Sequence, residues 1–364
     1  MTHDYDLLKR LSETDGIPGR EEAVREVIHE ALGDLAAGAR VDPMGNLIVE
    51  LDGPADAPLV MVSAHMDEIG FVVRHVDDKG FIRLQNHGGF DVRNLFARLV
   101  RVHTHKGGPR VGVLNPGVKP VHIATPEDRK KIPTLDEFVV DLGLPAETVK
   151  ADVRIGDMVT LVQPFVDLGE VVSGKAMDDR SGCWVLVETL RRLASPAVRV
   201  AAVFSTQEEV GLRGAITSAF TVQPDVGIAL DTTLAVDTPG TPEHLSVTRL
   251  GQGVAIKVRD SSTISQGWLV DALADVADAE GIAHQFEVLP LGGTDAGAIQ
   301  RSRGGVASVT LSNPSRYVHT VVEMLAKRDL EAAVALLTAF LSTPGAATAP
   351  AEASAPTKAS ASGA

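Results

Sequence analysis

The 364-residue sequence predicts an α/β fold, in which a mixed β-sheet is flanked by helices and interrupted by a small β-barrel-like domain. Three observations support this prediction. Apolar runs of strand length alternate with segments of helical periodicity in the first part of the chain. From about residue 69 to 164 the pattern changes to short alternating strands joined by glycine turns. The α/β pattern then resumes, so the β-rich segment is interpreted as an insertion.

The first part of the main domain is predicted at residues 1–68. Apolar residues at helical spacing predict helices over 4–12 and 20–36, with a break at the Ile17-Pro18-Gly19 segment. The segments "NLIVEL" and "PLVMVSAHM" then predict two strands. The second strand ends where the inserted domain begins.

The inserted domain is predicted at residues 69–164. Alternating apolar residues surround a Lys79-Gly80 turn and a Gly107-Gly108 turn, which predicts two β-hairpins. One helix is expected near 134–142 within this domain.

The main domain is predicted to continue over residues 165–343. Its strands are expected at 198–204, 225–231 and "GVASVTL", and its helices at 181–194, 265–281 and 328–342. The last segment, 344–364, is rich in Ala, Pro, Ser and Thr and is predicted to be a disordered tail.

Bulk composition excludes several classes of partner. The chain has 34 Lys and Arg against 48 Asp and Glu, a net charge of −14, which argues against nucleic acid or an anionic membrane. A single cysteine excludes an internal disulfide framework and fits a reducing compartment. No secretory leader is recognised at the start, and no apolar run approaches the roughly 18 residues of a membrane span. A cytoplasmic protein is expected.

A histidine and an aspartate follow the predicted strand in "SAHMDEIG". Because side chains alternate across a strand, His65 and Asp67 are expected to point the same way. A histidine oriented by a carboxylate is typical of a metal ligand. An ordinary polar pair at a strand end has the same spacing, so these two residues alone leave both interpretations open.

Two pairs of adjacent acidic residues lie at the ends of predicted elements. Glu208 and Glu209 follow the predicted strand 198–204, and Asp178 and Asp179 precede a predicted helix. Ligands bind at the carboxyl edge of α/β sheets, where Glu209 could hold a metal and Glu208 could handle a proton. Asp178 could donate one oxygen to each of two cations. The alternatives are a solvated turn for the glutamates and helix capping for the aspartates.

Asp231 closes the apolar run "DVGIALD", and His319 follows a strand and a loop in "SRYVHT". Either residue alone is compatible with a structural role. Together the candidate ligands are two His, two Asp and one Glu, a mixed nitrogen and oxygen set that suits two zinc- or cobalt-like ions. Paired divalent ions are typical of hydrolases.

Six segments resemble, in content and order, the glutamyl aminopeptidase and tetrahedral (TET) aminopeptidase family of co-catalytic metallopeptidases. They are "AHMDEIGF", "KAMDDRSG", "STQEEVGLRGA", "ALDTT", "GGTDAG" and "RYVHT". The resemblance extends from about residue 5 to residue 343. It implies that the inserted domain mediates dimerisation and that dimers often assemble into a hollow dodecamer.

The resemblance also implies which residues hold the two ions. His65 and Asp231 would hold one ion, Glu209 and His319 would hold the other, and Asp178 would bridge them. Zinc or cobalt is the expected metal.

The remaining implied roles concern catalysis. Asp67 would orient His65, Glu208 would be the general base, and the peptide between Asp178 and Asp179 would be cis. The implied activity is a metal-dependent aminopeptidase that acts on peptides through a metal-held water.

Two other functions fit parts of the same pattern. A glycoside hydrolase of the endoglucanase type could use Glu208 and Asp178 as acid and base, and the family also includes proteins called cellulase M-like. This alternative gives no role to the two histidines. A non-catalytic, peptide-binding assembly protein is the third possibility.

Overall fold

A computed structural model describes residues 3–350 of the chain. Within this range it contains 17 strands, which form one large sheet and one closed barrel. In chain order the strands are β1 (Arg40–Val41), β2 (Leu47–Leu51), β3 (Leu59–His65), β4 (Gly70–Val76), β5 (Ile82–His87), β6 (Arg98–Val102), β7 (Arg110–Pro116), β8 (Phe138–Asp141), β9 (Met158–Leu161), β10 (Val166–Asp167), β11 (Val171–Gly174), β12 (Arg199–Ser205), β13 (Val226–Leu234), β14 (Val254–Arg259), β15 (His284–Val288), β16 (Ala307–Arg316) and β17 (Glu323–Ala326).

The α-helices of the described residues pack on the large sheet or lie in the barrel segment. They are α1 (Tyr5–Glu13), α2 (Glu22–Leu32), α3 (Pro126–Lys130), α4 (Ala146–Asp152), α5 (Met177–Arg192), α6 (Arg213–Val222), α7 (Gly267–Glu280), α8 (Asp295–Gln300) and α9 (Lys327–Ser342). Short 3-10 turns cover Gly33–Ala36, Val92–Leu95, Leu135–Glu137 and Glu243–Leu245.

The large sheet has 11 strands in the described range, in the order β1-β2-β12-β3-β13-β16-β17-β11-β10, with β14 beside β16 and β15 beside β14. Its centre is parallel: β3 pairs with both β12 and β13, and β13 pairs with β16. The pairing sets Ser205 of β12 opposite His65 of β3. Because these strands are parallel, their carboxyl ends meet at one edge, where ligands bind in α/β sheets.

The core of the large sheet lies mainly under the long helix α5. Trp184, Val185 and Leu186 of this helix are fully buried, together with Val62 of β3 and Ile228 of β13. All residues of α5 from Met177 to Leu190 are buried, so this helix lies inside the core and not on its surface. This packing fixes the start of α5 against the carboxyl ends of the central strands.

Strands β4 to β9 close into a separate six-stranded barrel in the order β4-β5-β8-β7-β6-β9. Its own apolar core includes Phe71, Val100, Leu114 and Phe138. The barrel lies between two strands of the large sheet in the chain, β3 and β10. The predicted fold class, a mixed α/β sheet with an inserted β-barrel-like domain, is therefore confirmed.

The prediction of a helix near 134–142 is wrong. A 3-10 turn, Leu135–Glu137, leads into strand β8, which pairs with β7. Phe138 and Val140 are buried in the barrel, whereas Asp141 is exposed. This period of two residues belongs to a strand, and the segment was too short for its pattern to be distinguished from a helical turn.

Other elements differ from expectation in extent or were not predicted. The helix expected over 20–36 ends at Leu32, because Gly33 has a φ of 54° and starts a 3-10 turn. Helix α6 and strand β14 were not predicted from the sequence. The apolar periodicity of α6 is weak, and the apolar run of β14 is interrupted by Lys257.

A buried polar junction joins the barrel to the large sheet. Asp15, which follows α1, accepts hydrogen bonds from Arg101 and Thr160 of the barrel. Lys175, just before α5, donates to Asp15 at 3.2 Å and to both oxygens of Glu68 at 2.7 Å. Glu68 lies between β3 and the first barrel strand, β4, one residue after Asp67. The junction therefore connects the barrel with the segment that carries Asp67 and with the segment that leads into Asp178.

The first residues of the predicted tail pack against the main domain. Ala347 is buried in the same core as α9, and a turn bond joins the Thr348 amide to the Gly345 carbonyl. Core packing therefore continues beyond residue 344. The predicted disorder of residues 351–364 concerns a segment outside the described residues. Of the helices within 3–350, none has the length and apolar character needed to cross a membrane.

Candidate metal centre

The structure brings all seven predicted site residues to one edge of the large sheet. His65 ends β3 and Asp231 lies in β13. The other five follow the ends of neighbouring strands or begin α5; they are Asp67, Asp178, Glu208, Glu209 and His319. Residues far apart in sequence thus meet because the central strands are parallel and end together.

His65 is buried, with only 2% of its surface exposed. Its Nδ1 lies 3.0 Å from the main-chain carbonyl oxygen of Asp67. Because a carbonyl only accepts, this contact places the proton on Nδ1 of the neutral ring and leaves the Nε2 lone pair free. Nε2 in turn lies 3.2 Å from Oδ1 of Asp178. Two acceptors at this distance require a proton or a cation between or beside them.

Asp178 presents one carboxylate oxygen to each histidine. Oδ1 faces Nε2 of His65 at 3.2 Å, and Oδ2 faces Nε2 of His319 at 3.4 Å. Burial alone would raise the pKa of Asp178, but the contacts with His319 and His65 hold it well below its usual range. A carboxylate in this position can share two cations.

Two groups of side chains have the spacing of metal sites. His65, Asp178 and Asp231 form one group, and Asp178, Glu209 and His319 form the other. Within each group the potential ligand atoms lie within 4.8 Å of one another. This grouping is the one that the family resemblance implies, and Asp178 belongs to both groups.

The carboxylates of the cluster are too crowded to be ionised together without cations. Burial, reinforced by Asp178, raises the pKa of Asp231 well above its usual value. Burial also raises the pKa of Glu209 to about 7. For His319, burial opposes protonation, but the contact with Asp178 raises its pKa to about 10. Divalent cations bound by these oxygen and nitrogen atoms would take the place of the protons and balance the charge of the carboxylates. The residues present therefore fit two such ions.

Asp67 positions the glutamate loop. Its carboxylate accepts the amide hydrogens of Glu208 and Glu209 at 3.0 and 3.1 Å. The same carboxylate is 3.6 Å from Nδ1 of His65, so the closer contact with the ring is the main-chain oxygen. The predicted contact between Asp67 and His65 is therefore made mainly by the main-chain carbonyl oxygen of Asp67 and less by its carboxylate.

Glu208 is close to the cluster but belongs to neither ligand group. Its Oε2 lies 3.9 Å from Nε2 of His65. Burial raises the pKa of Glu208 well above its usual value. A buried carboxylate beside a candidate metal pair has the properties of a proton acceptor.

Glu323 was not predicted, although it connects the two parts of the site. One of its oxygens accepts the Asp178 amide hydrogen at 3.0 Å, and the other accepts the His319 amide hydrogen at 2.7 Å. Burial raises the pKa of Glu323 to about 8. The available sequence signal was its position four residues after His319, which has no meaning without the loop geometry.

Asp295 was also not predicted, although it lies in the glycine-rich "LGGTDAG" loop. Its Oδ2 accepts hydrogen bonds from Ser63 of β3 at 2.6 Å and from Ser205 of β12 at 2.5 Å. It therefore ties together the ends of two strands that carry site residues. This contact is between buried side chains, and sequence spacing does not reveal it.

Unusual backbone conformations concentrate around the site. Five of the eight non-glycine residues with positive φ among positions 3–350 flank it; they are Ala176, Gln207, Leu212, Tyr317 and His319. Such conformations cost on the order of 1–3 kcal/mol each and often occur at functional sites. The peptide between Asp178 and Asp179 is cis, as the resemblance implies.

The cluster opens into a cavity of about 570 Å³. Asp178, Glu209 and Asp231 are among its lining residues, as are Leu289 and the loop around Gly292. A volume of this size accommodates a small molecule or the end of a peptide.

Comparison with known proteins identifies the family of the chain. The family described as M42 glutamyl aminopeptidase matches residues 45–336. Lysyl aminopeptidase from Pyrococcus furiosus is 35% identical over 344 residues, which cover 93% of this chain and 96% of the relative.

Two solved structures show the same fold. The aminopeptidase APDkam598 from Desulfurococcus kamchatkensis has a TM-score of 0.89 at 36% identity, covering 94% of this chain and 96% of that one. The Pyrococcus horikoshii TET1 peptidase, described as able to assemble into a tetrahedron or a large octahedral shell, has a TM-score of 0.82 at 34% identity, covering 93% and 98%. The sequence match and the shared fold together show that this chain is a peptidase of the M42 glutamyl aminopeptidase family.

Proposed function

We propose that the chain is an aminopeptidase that removes the first residue of peptides, with two divalent cations, zinc or cobalt, and Glu208 as the general base. The observation that supports this most strongly is the position of Asp178. Its two oxygens face two histidines, and each histidine belongs to a separate group of ligand atoms. A pair of cations sharing one carboxylate is the simplest occupant of such a site.

The candidate ligands divide into two groups. His65 and Asp231 would hold one ion, Glu209 and His319 would hold the second, and Asp178 would contribute to both. Bound there, the two ions would supply Lewis-acid polarisation of the peptide carbonyl and a more acidic water.

Glu208 then moves the proton. Its carboxylate accepts a proton from the attacking water and later delivers it to the amine that leaves. Burial raises the pKa of Glu208, which makes its carboxylate a better proton acceptor than an exposed one. Asp67 holds the Glu208 amide, so the side chain stays in reach of the cluster.

Substitution of Glu208→Gln tests the proton transfer. Because Gln keeps the shape but accepts no proton, we expect kcat to fall by about 10²- to 10⁴-fold while metal content is unchanged. Metal content is measured by mass spectrometry of the purified protein, and Glu22→Gln, an exposed change in α2, is the matched control. Retention of wild-type turnover by the variant would refute the role of Glu208.

A peptide library and its N-acetylated twin test the activity itself. Removal of first residues from the free library only, abolished by a chelator, is the expected result. Cleavage of both libraries would contradict the aminopeptidase proposal.

The two alternative functions have less support. A glycosidase mechanism needs two carboxylates but gives no role to His65 and His319, both of which face Asp178. A non-catalytic peptide-binding protein gives no reason for a buried Glu208 beside the cluster. Chelator-insensitive cleavage of a glucan, or metal binding without peptide hydrolysis, would favour one or the other.

Self-association through the barrel is part of the proposal. Leu99 of β6 and its neighbour Val113 of β7 are paired and exposed, with Val111 close by. An apolar stripe on a barrel wall is typical of a contact between subunits. The TET1 peptidase, which forms shells, is a relative with the same fold. Light scattering in solution would measure the assembly.

A further inference from the structure

The glutamate loop, defined as residues 206–209, is held in place through its backbone amides. Each of its four consecutive amide hydrogens is donated to a side-chain oxygen from another segment of the chain. Connecting segments are ordinarily more mobile than the elements that they join. Four successive side-chain acceptors therefore indicate that the position of this loop is closely specified.

The acceptors come from three separate segments. Oδ1 of Asn46, just before β2, accepts the Thr206 amide hydrogen at 2.9 Å. Oε1 of Glu21, at the start of α2, accepts the Gln207 amide hydrogen at 3.1 Å. The carboxylate of Asp67 accepts the two amide hydrogens that follow, at 3.0 and 3.1 Å.

The carbonyl groups of the loop are bonded as well. Main-chain amides near the start of α6 donate to the carbonyl oxygens of residues 206, 207 and 208; the donors are Gly214, Arg213 and Leu212. The backbone from 206 to 208 is thus hydrogen-bonded through both its amides and its carbonyls.

Glu21 is the acceptor to which the mechanism above gives no role. Only 3% of its surface is exposed. The oxygen that accepts the Gln207 amide hydrogen also accepts the Gly19 amide hydrogen, at 2.8 Å. Gly19 lies in the connection between α1 and α2. Glu21 therefore ties this connection to the residue that precedes Glu208.

The backbone of Gln207 needs such support. Its φ is 56°, a left-handed conformation that a non-glycine residue keeps only where its surroundings hold it. The bond from its amide to Glu21 is one of the contacts that hold it. A change at Gln207 would turn the following peptide and move the Glu208 side chain, whose Oε2 now lies 3.9 Å from Nε2 of His65.

The position of the Glu21 oxygen matters more here than its charge. Burial, reinforced by Asp67, raises the pKa of Glu21 to about 7. The bonds from Gly19 and Gln207 need an acceptor oxygen, which an ionised carboxylate, a protonated carboxyl group and an amide all provide. A substitution that keeps this oxygen in place should therefore keep the loop in place.

We propose that Glu21 is a positioning residue for the proton transfer, which holds Glu208 in reach of the candidate metal pair through the amide of Gln207. The inference rests on the proposed aminopeptidase function and concerns the same site. Glu21 belongs to neither ligand group and does not line the cavity, so its effect on the reaction passes through the loop.

Two substitutions separate position from charge. Glu21→Gln keeps the acceptor oxygen and removes the charge, whereas Glu21→Asp keeps the charge on a side chain one methylene shorter. We expect Glu21→Gln to retain most of kcat. Glu21→Asp should lower kcat by about 10- to 100-fold, as expected when a catalytic group is slightly misplaced, with KM and metal content unchanged.

The measurements use the metal-loaded protein and the peptide that it trims fastest in the free library. Glu22→Asp, an exposed change at the neighbouring position of α2, is the matched control and should leave kcat unchanged. Metal content is determined by mass spectrometry, and the melting temperature shows whether each variant folds.

A double-mutant cycle with Glu208→Gln tests whether Glu21 acts through Glu208. Added to Glu208→Gln, Glu21→Asp should lower kcat by less than about twofold, because the proton acceptor that it positions is already absent. A purely structural role would lower kcat by the same factor in both backgrounds. If Glu21→Asp does not fold, Glu21→Ala takes its place in the cycle, since it removes the acceptor without leaving a misplaced buried charge.

The outcomes separate the two proposals. No metal-dependent release of first residues by the unchanged protein would refute the aminopeptidase function. With that function intact, full kcat in Glu21→Asp or a large loss of kcat in Glu21→Gln would overturn the role of Glu21. Equal losses in the two backgrounds of the cycle would overturn it as well.

Discussion

The two halves of the candidate metal centre are built differently. The buried half, defined as His65 and Asp231, lies on two adjacent parallel strands of the sheet. The open half, defined as Glu209 and His319, lies on loops. The exposed fraction is 2% for the His65 side chain and 36% for the His319 side chain. Asp178 is the residue that both halves share.

The difference means that one half of the centre is rigid and the other half is accessible to solvent. Strand neighbours hold the buried half in a fixed geometry, as paired ladders do. The open half depends on left-handed backbone at His319 and Gln207 and on the hydrogen bonds that its two amides donate to Glu323 and Asp67. We therefore expect an ion in the open half to exchange more readily, since both of its ligands lie on loops and the His319 side chain is partly exposed.

The largest expected effect comes from the residue common to both halves. Asp178→Asn keeps the shape but removes the charge and one of the two oxygens that can bind a cation. Because each ion contributes several kcal/mol of transition-state stabilisation, we expect activity to fall by at least about 10³-fold. Both ions should be lost on dialysis, which metal analysis would show.

Asp167→Asn, an exposed change that affects a surface pair with Lys327 and a turn bond from the Gly169 amide, is the control for this substitution. An Asp178→Asn variant that still holds two ions with near-normal turnover would show that Asp178 does not bridge the halves.

Substitution of one histidine at a time should distinguish the halves. His319→Ala should lose one of the two ions and keep the fold, because the side chain is partly exposed and lies in a loop. His65→Ala should lose the ion of the buried half and also lower the melting temperature, because it leaves a cavity in a packed strand. Metal stoichiometry and thermal unfolding measure the two effects.

Equal losses of metal and stability in the two histidine variants would contradict the comparison, because they would mean that the halves are equally rigid.

A smaller effect is expected from the residue that links the halves through the main chain. Glu323 accepts one amide hydrogen from the shared Asp178 and one from His319 of the open half, and Gln can accept only one of them because its amino group is a donor. Glu323→Gln should therefore weaken metal binding or activity by about 10- to 100-fold, as expected for outer partners of a metal site.

Metal titration of the Glu323→Gln variant, with the exposed Glu26→Gln as the control, measures this link. Metal affinity equal to that of the unchanged protein would mean that the loop of His319 keeps its shape without Glu323.

The sequence predicts the fold where patterns are long. The apolar runs of β3, β12 and β13 are each continuous, and their interruption by hairpin strands reveals the insertion. Short elements could not be assigned, because the segment around Phe138 fits a helical turn or a strand until its partner β7 is known. Helix α6 has too little apolar periodicity to be recognised.

The sequence predicts the centre of the site for a related reason. Polar residues that end an apolar strand are visible in the sequence, and His65 and Asp231 are of this kind. The division of ligands between two ions came from the family resemblance and not from spacing. Glu323 could not be predicted, because it acts on backbone amides.

The polar junction between barrel and sheet makes the inserted domain difficult to exchange. Removal of the barrel would take Arg101 and Thr160 away from Asp15 and leave a buried carboxylate with Lys175 alone. Loss of a partner from such a buried pair costs about 3–5 kcal/mol. Lys175 is also bound to Glu68, next to Asp67. A chimaera with a foreign barrel would therefore need to retain these contacts to preserve the site it adjoins.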